Sequence, residues 1–241
     1  MATSLENKST IKDIKERFDK DVKRFSKLQT GQQNLIDAAL VMELITQAAA
    51  QNNPGAKRIL DIGCGAGNNT IKLLENVGSL DCDLVDLSQP MLERAVQRIG
   101  AINEGKVRTF QGDFRTVSLP EEQYDIIIAA AVLHHLREEE DWKRAFQKIY
   151  ALTAPGGSVW ISDFVQHDNE QVQEIMWNRF GEHLESLGGV EYREKVFSYI
   201  DKEDSPRSIS YQMNLLQEVG FNDIELLHKN ACTAGFGAVK R

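Results

Sequence analysis

Two helical patterns open the chain. Apolar residues recur every three or four positions from Ser9 to Lys27, and this spacing predicts one amphipathic helix whose apolar face is Ile11, Ile14, Phe18, Val22 and Phe25. A second helix is predicted from Leu35 to about Gln51, where the cluster Asn52-Asn53-Pro54-Gly55 ends it. We interpret residues 1–55 as an N-terminal helical arm.

From residue 56 onward, short apolar runs alternate with longer periodic segments. The runs predict strands at Arg58–Ile62, Leu80–Leu87, Lys106–Gln111, Tyr124–Ala131 and Ser158–Phe164. The periodic segments predict helices at Asn69–Val77, Pro90–Asn103 and Glu138–Leu152. Such alternation is typical of an α/β fold with a doubly wound, mostly parallel sheet and helices on both faces. We expect residues 56–165 to form this core.

The rest of the chain departs from the alternation. Residues 166–206 are longer than a crossover needs, so we interpret them as a helical insertion that covers a site. Its predicted apolar stripe is Val172, Ile175, Met176, Phe180, Leu184 and Leu187. Residues 207–241 predict a helix at Ser208–Val219 and strands at Asp223–His228 and Ala231–Val239. Two residues link these strands, which indicates an antiparallel hairpin.

The length and composition of the chain favour a single domain that comprises residues 1–241. The formal charge is -8, which disfavours a nucleic-acid surface spread over the protein. The charge is uneven, because eight basic and four acidic residues lie between Lys8 and Lys27, whereas the insertion is acidic. Three cysteines without a Cys-x-x-Cys pair suit neither a disulfide framework nor a structural zinc site. With no apolar run of about 18 residues, we expect a cytoplasmic protein without a membrane span.

The link between the first strand and the first helix carries the candidate chemistry. It reads Asp61-Ile62-Gly63-Cys64-Gly65-Ala66-Gly67, at the position where a doubly wound sheet binds its ligand. A dinucleotide loop has the spacing G-x-G-x-x-G, whereas this loop has G-x-G-x-G with an acid two residues before the first glycine. A carboxylate there repels a diphosphate and attracts an ammonium group. The loop therefore favours a nucleoside that carries an amino acid.

Two further acids follow neighbouring strands. Asp86 ends the second strand, nineteen residues after Gly67, close to the spacing of about 20 expected of a carboxylate that binds ribose hydroxyls. Asp113 follows the third strand, where it is placed to accept a hydrogen bond from an adenine amino group beside the backbone N–H of Phe114. Each acid taken alone also suits a helix cap or a turn.

With these motifs the sequence resembles the class I S-adenosylmethionine-dependent methyltransferases. The resemblance covers roughly Lys57 to Phe164 and rests on LDIGCGAGN, LVDLSQPML, QGDFR, IIIAAAVLHHL and APGGSVWISD. It implies a seven-stranded sheet of order 3-2-1-4-5-7-6 with the last strand antiparallel. It also implies methyl transfer from S-adenosylmethionine to an O, N or C nucleophile of a small molecule. The product would be S-adenosylhomocysteine, and no metal is expected.

The resemblance also implies a set of cofactor residues. The methionine part would lie on the glycine loop, the ribose on the acid after the second strand, and adenine between apolar residues and the loop after the third strand. The full set is Asp61, Gly63, Cys64, Gly65, Gly67, Asp86, Leu87, Met91, Asp113, Phe114 and Ala130. Ala130 would contribute its backbone carbonyl, and the thiol of Cys64 is interpreted as packing.

The acceptor side is less specific. His134 and His135 follow the fourth strand, where an acceptor would lie, and are candidates for a general base, although such a pair also suits packing at a helix start. Candidates for acceptor contact in the arm and insertion are Phe25, Gln32, Trp177, His183, Tyr192 and Arg193. Both segments are candidates for a lid, because a dry pocket favours a reaction that neutralises a sulfonium.

Several alternatives stay open at this point. The arm, with Phe18-Asp19, and the ending QEVGF and GFGAVK also resemble carboxy-S-adenosylmethionine synthase, whose carboxylate-binding arginine could correspond to Arg193 or Arg207. The basic arm suggests a transfer RNA-modifying enzyme instead. A dinucleotide oxidoreductase and a non-catalytic cofactor sensor complete the alternatives. The expected partner is a small-molecule acceptor rather than nucleic acid or membrane, and a homodimer stays compatible with the sequence.

Overall fold

The computed structural model describes residues 5–28 and 31–241, without the side chain of Glu6. Residues 1–4 and 29–30 of the predicted arm lie outside this range. The helices are α1 (Ile11–Lys20), α2 (Val22–Phe25), α3 (Ala38–Asn52), α4 (Asn68–Val77), α5 (Gln89–Gly100), α6 (Glu139–Leu152), α7 (Glu170–Glu203) and α8 (Ile209–Val219). The strands are β1 (Arg58–Ile62), β2 (Asp81–Asp86), β3 (Val107–Gln111), β4 (Tyr124–Ala130), β5 (Thr153–Phe164), β6 (Asn222–Asn230) and β7 (Thr233–Val239).

One seven-stranded sheet has the order β3-β2-β1-β4-β5-β7-β6, which confirms the predicted topology. Strands β1 to β5 pair in parallel, and β7 pairs antiparallel with both β5 and β6. Parallel strands end at the same edge of a sheet, and ligands bind beyond that edge. The loops after β1, β2, β4 and β5 therefore meet at one place.

The core lies on both faces of the sheet. In β4, Ile126 and Ile128 pack in the cluster that contains α3, α4 and α5, whereas Ile127 and Ala129 pack in the cluster that contains α6 and α8. Successive side chains of a strand point to opposite faces. Since both faces are covered, both sets must be apolar, which explains the continuous apolar run that the sequence shows here.

Several boundaries differ from the prediction. The arm helix, predicted as continuous, is broken at Asp21 into α1 and α2. Strand β5 begins at Thr153, before the Pro-Gly-Gly segment, because its first residues still pair with β4. The hairpin turns at Ala231 and Cys232 rather than at Lys229 and Asn230.

The insertion forms α7, which is interrupted by Gly189, whose φ of 80° belongs to the left-handed region that glycine adopts readily. The predicted apolar stripe is wrong at its ends. Phe180 and Leu184 are buried against Phe164, but Val172, Ile175 and Leu187 are 37%, 62% and 39% exposed. The apolar positions of the helix that are buried in this cluster are Phe180, Leu184 and, beyond Gly189, Val196. None of the helices in the described ranges is long and apolar enough to cross a bilayer.

Ser88 joins the arm to the core. Its Oγ accepts a hydrogen bond from the backbone N–H of Met91 at 3.3 Å, which caps α5, and donates one to Oδ1 of Asp19 at 2.6 Å. We expect Ser88→Ala to lower the free energy of unfolding by about 1 kcal/mol, because it removes a helix cap. Urea denaturation measures this. Ser186→Ala, which removes an exposed hydroxyl, is the control, and equal stability of the two variants would contradict the expectation.

Candidate active site

The glycine loop forms one wall of a cavity of about 90 Å³, which we call the glycine-loop cavity. At Gly63, φ is +67° and an added Cβ would lie 2.6 Å from Cγ2 of Val132, so the close approach of the loop to that residue requires glycine. The predicted cofactor residues that line this cavity are Gly63, Cys64, Gly65, Asp86, Leu87, Met91 and Ala130. The structure thus brings together residues from β1, β2, α5 and β4.

Asp86 links the second strand to the glycine loop. Its Oδ2 accepts a hydrogen bond from the N–H of Gly65 and its Oδ1 one from the N–H of Ser88, both at 2.8 Å. Burial raises the pKa of this carboxyl, although these backbone hydrogen bonds act in the opposite direction. Because a carboxylate oxygen accepts more than one hydrogen bond, Asp86 can hold the loop and still bind hydroxyl groups in the cavity.

Asp61 is fully buried behind the loop rather than on the cavity wall. Its Oδ2 accepts a hydrogen bond from the Thr70 hydroxyl at 2.6 Å, while its Oδ1 has no hydrogen-bond partner among the described residues. Burial raises the pKa of Asp61 to about 7, and the nearby Asp86 contributes to the rise. An unpartnered buried carboxylate oxygen is costly and marks a position that a cation or a water molecule would satisfy.

Besides Asp61, three predicted cofactor residues lie away from the cavity. Gly67 packs against Ile99 of α5, where an added Cβ would lie 3.0 Å from Cδ1. The carboxylate of Asp113 is bound by the guanidinium of Arg115 at 2.6 Å, which lowers the pKa of Asp113 despite its burial. Phe114 is buried in the core cluster beside α6. The assignment of Asp113 and Phe114 to adenine is not supported by a contact with the cavity.

A larger cavity of about 720 Å³ lies next to the first, and we call it the histidine cavity. Its walls come from α1, α2, α7 and the 3-10 turn Leu133–His135 that follows β4. The two cavities share five residues, which are Phe18, Phe25, Gln32, Ala131 and His135. A ligand on the glycine loop and a second ligand in the histidine cavity would therefore face each other across this shared wall.

His134 is held between two carboxylates. Its Nδ1 forms a short ion pair with Oδ1 of the fully buried Asp163, and its Nε2 lies 3.8 Å from Oδ1 of Asp204. Burial alone would lower the pKa of His134, but the two carboxylates outweigh it and raise the pKa to about 9. At neutral pH this side chain is protonated, so it cannot accept a proton from a substrate.

His135 has a different environment. Its Nδ1 lies 3.1 Å from Oδ1 of Asp204, and its ring meets that of Phe18 edge to face at 6.0 Å between centroids. Both ring nitrogens are buried, and neither forms a hydrogen bond of good geometry in the described part of the chain. The two histidines lower the pKa of Asp204 although that carboxyl is buried. A charged carboxylate beside Nδ1 favours the tautomer with a proton on that atom, which leaves the lone pair on Nε2.

The ligand atoms of His134, His135 and Asp204 lie within 4.8 Å of one another, a grouping that could hold a metal ion. A metal would have to displace the proton that Asp163 and Asp204 stabilise on His134. The positive Arg17 also acts on both His134 and Asp204. The local charges thus favour a protonated imidazole over a metal ligand at this position.

The pKa of His134 predicts a pH dependence of stability. Because the value of about 9 in the folded protein lies above the ordinary 6.5, protonated His134 stabilises the fold fully below pH 6.5. This contribution is lost as the pH rises to about 9. We expect the free energy of unfolding to fall more steeply over this interval for the wild type than for His134→Gln, as measured by urea titration at several pH values. Parallel curves would contradict the assignment.

Of the six candidate acceptor contacts from the arm and insertion, three line the histidine cavity and three do not. Phe25, Gln32 and Tyr192 line the histidine cavity, and the Tyr192 hydroxyl donates to Oδ1 of Asn34 at 2.6 Å. The remaining three do not. Trp177 stacks on Phe197, His183 contacts the carbonyl of Gln33, and Arg193 is paired with Glu185 and Glu194.

Sequence reasoning missed two important contributors. Asp204 follows α7, and only the course of that helix brings it to the histidines. Phe18 was identified as an apolar position of the arm, but its place on the shared wall depends on how the arm packs. Sequence reasoning also missed the pairing of Asp163 with His134. The signal was available, because Asp163 lies at the end of β5, His134 follows β4, and these parallel neighbours end at the same edge of the sheet.

Four of the eight basic residues between Lys8 and Lys27 form ion pairs. Lys15 pairs with Asp19 at 2.8 Å and Arg24 with Asp21 at 2.9 Å, and Lys12 lies 3.8 Å from Glu16. Arg17 pairs with Glu203 of α7. Three of the four partners belong to the same segment, so Glu203 alone lowers the net positive charge that this segment would offer to a phosphate backbone.

The chain is similar to known methyltransferases. Residues 59–157 match the family described as a methyltransferase domain. An uncharacterised methyltransferase of Mycobacterium tuberculosis is 31% identical over 111 residues, which are 46% of this chain and 52% of the relative. A carboxy-S-adenosyl-L-methionine synthase of Photobacterium profundum is 27% identical over 173 residues, which are 70% of each chain.

A solved structure is similar over most of the chain. Human N-acetylserotonin methyltransferase in complex with S-adenosylmethionine gives a TM-score of 0.61 at 18% identity, covering 94% of this chain and 56% of that protein. At this identity the likeness concerns the fold. The chain spans about half the length of the Mycobacterium relative and of the human protein.

Proposed function

We propose that the chain is a class I S-adenosylmethionine-dependent methyltransferase that methylates a small molecule with an ionisable O–H or N–H group. The observation that carries this proposal is the wall of five residues shared by the glycine-loop cavity and the histidine cavity. A donor in the first cavity and an acceptor in the second would both lie against His135. Such an arrangement suits direct transfer between two bound molecules.

The residues of the glycine-loop cavity fit S-adenosylmethionine. Asp86 has free acceptor capacity for ribose hydroxyls, and the unpartnered Oδ1 of Asp61 offers negative charge behind the loop for the ammonium group. Leu87 and Met91 offer apolar surface for adenine. The set contains no cation among the described lining residues that would suit the diphosphate of a dinucleotide. When bound, S-adenosylmethionine supplies an activated methyl group on a sulfonium.

His135 is proposed as the general base. Its side chain lines both cavities, its Nε2 has no hydrogen-bond partner among the described residues, and its Nδ1 lies 3.1 Å from Oδ1 of Asp204, which would stabilise a proton there. Nε2 would accept the proton of the acceptor as the nucleophile approaches the methyl carbon, and His135 would become an imidazolium beside a carboxylate. A positioned base of this kind contributes about 10²–10⁴-fold in rate. His134, already protonated and fixed by Asp163, would position Asp204.

The arm (residues 1–55) and the insertion (residues 166–206) are proposed to act together as one lid over the two cavities. Nε of Arg17 donates to Oε1 of Glu203 at 2.9 Å, and the N–H of Ser9 donates to the carbonyl of Lys202 at 2.9 Å. These contacts tie α1 to the end of α7. A lid that moves as a unit would exclude water from both cavities at once.

We further propose that the enzyme is cytoplasmic and works without a metal. Its three cysteines are unpaired and buried, as suits a reducing compartment. The proton that Asp163 and Asp204 stabilise on His134 competes with a metal at the histidine pair. Treatment with a chelator is expected to leave turnover unchanged, and loss of turnover that returns with one divalent ion would reverse this part of the proposal.

The experiment that tests the function is a transfer assay with S-adenosylmethionine labelled on the methyl group. The protein is incubated with a panel of small phenols, hydroxy acids and amines, and S-adenosylhomocysteine formation is followed together with label in the acceptor. We expect labelled product with at least one class and none without acceptor. Tight binding of S-adenosylmethionine without transfer to any class would favour the cofactor-sensor alternative.

The similarity to carboxy-S-adenosyl-L-methionine synthase motivates a second candidate function. That enzyme would need a cation beside the donor methyl position. Arg193 is paired with two glutamates and Arg207 lies on another cavity, so neither candidate arginine lines the shared wall. Mass analysis of the nucleoside that copurifies decides between the two, because a carboxylated adduct would support the synthase and S-adenosylhomocysteine the methyltransferase.

A further inference from the structure

A third cavity, of about 490 Å³, is lined by Asp204 but by no residue of the glycine loop, and we call it the anion cavity. It is bounded by the start of the arm, the end of β5 and the segment 204–207 that follows α7. It shares Phe164, Ile200 and Asp204 with the histidine cavity. The two cavities are therefore neighbours separated by a thin wall.

Three cationic side chains line the anion cavity. Nζ of Lys8 donates to the carbonyls of Asp201 and Asp204, Nη2 of Arg137 donates to the carbonyl of Ser9, and Nη2 of Arg207 lies 3.5 Å from the carbonyl of Arg137. In residues 5–28 and 31–241, none of these three cations forms an ion pair with a carboxylate. Two carboxyl residues also line the cavity, Asp201 and Asp204, and the carboxylate of Asp204 is directed at the histidines.

Two buried donors at the same place have no partner. Nε of Arg207 and Oγ of Ser205 are both buried without a hydrogen bond in the described part of the molecule. Gln173 adds a further donor, because its Oε1 accepts from the N–H of His167 at 2.8 Å and its amide N–H groups remain. Unsatisfied buried donors are costly, and a guanidinium is the preferred partner of a carboxylate or phosphate group.

We propose that the anion cavity binds a small molecule through a carboxylate or phosphate group, held by Arg207 and Arg137 with the Ser205 hydroxyl. The segment that carries these donors also carries Asp204, and the N–H of Ser205 donates to the carbonyl of His134 at 2.7 Å. Binding there fixes the segment that places Asp204 beside His135. The anion site is distinct from the donor and acceptor sites and does not depend on the proposed methyl transfer.

The test is a calorimetric titration of the full chain with inorganic phosphate and, separately, with succinate, in a buffer of constant ionic strength free of other oxyanions. Arg207→Gln removes the charge, and Arg144→Gln, which changes an exposed arginine paired with Glu140 on α6, is the matched control. We expect the wild type and Arg144→Gln to bind at least one of the two probes with the same affinity. Arg207→Gln is expected to bind that probe about tenfold more weakly. The probe that binds identifies the oxyanion as phosphate or carboxylate.

Two outcomes would overturn the proposal. Either neither probe binds the wild type, or Arg207→Gln binds as tightly as Arg144→Gln, which would indicate a general effect of surface charge. If Arg207→Gln does not fold, as judged by circular dichroism, Arg137→Gln takes its place with the same expectation. Titration with S-adenosylhomocysteine is expected to give the same affinity in all these variants, so a failure of the anion site is distinguishable from a failure of the methyltransferase assignment.

Discussion

Replacing His135 with glutamine is expected to lower turnover by about 10²–10⁴-fold while the affinity for S-adenosylhomocysteine changes less than about threefold. The reason is that His135 lines both cavities, that its Nε2 has no hydrogen-bond partner among the described residues, and that its Nδ1 lies 3.1 Å from Asp204. Glutamine keeps a polar side chain of similar length but cannot accept a proton at neutral pH. Steady-state kinetics with the acceptor found by the transfer assay, together with calorimetry, measure the two quantities.

The matched control is His228→Gln, which changes a histidine of β6 that lies 3.0 Å from Asp37 and lines neither cavity. Its turnover is expected to equal that of the wild type. Asp204→Asn should lower turnover in the same direction as His135→Gln, and the double variant should lose little more than His135→Gln alone, because the two residues act as a unit. Unchanged turnover in His135→Gln would leave the pair of histidines with a packing role.

Replacing Asp86 with alanine is expected to weaken binding of S-adenosylhomocysteine by about 1–3 kcal/mol, or about 5- to 150-fold. The substitution removes the proposed ribose acceptor, and it also leaves the N–H groups of Gly65 and Ser88 without the oxygens that they bind at 2.8 Å. Calorimetric titration gives the affinity, and circular dichroism confirms that the variant is folded.

The control for this variant is Asp223→Ala, which removes a carboxylate paired with Arg241 at the edge of the sheet, far along the chain from the glycine loop. We expect it to bind as the wild type does. If Asp86→Ala binds S-adenosylhomocysteine normally, Asp86 has no part in the cofactor site, and its role is confined to the hydrogen bonds within the loop.

The fold was largely predictable because its signals are local. The apolar runs of β1 and β4 and the periodic segments between the strands fix the alternation of strands and helices. The short link between β6 and β7 gives the hairpin, although the turn lies two residues later than predicted. The order of the sheet came from the resemblance carried by the glycine loop and the acids after the strands, and it is confirmed.

The acceptor side was not predictable to the same degree, because it is assembled from distant segments. Whether a residue of α7 points into the site depends on how the helix crosses the sheet edge, which explains why Tyr192 lines the cavity and Arg193 does not. The different roles of His134 and His135 depend on Asp163 and Asp204, which meet them only in the folded chain. Adjacent positions in the sequence thus acquire different surroundings, and the two carboxylates beside His134 raise its pKa to about 9.

Calorimetric titration of the full chain with S-adenosylhomocysteine, set beside the same titration with NADH, tests the central claim most directly. The account predicts binding of S-adenosylhomocysteine with one site per chain, binding about 5- to 150-fold weaker in Asp86→Ala, and no heat from NADH. Binding of NADH in preference to S-adenosylhomocysteine, or the absence of binding by either, would contradict the assignment of the glycine-loop cavity.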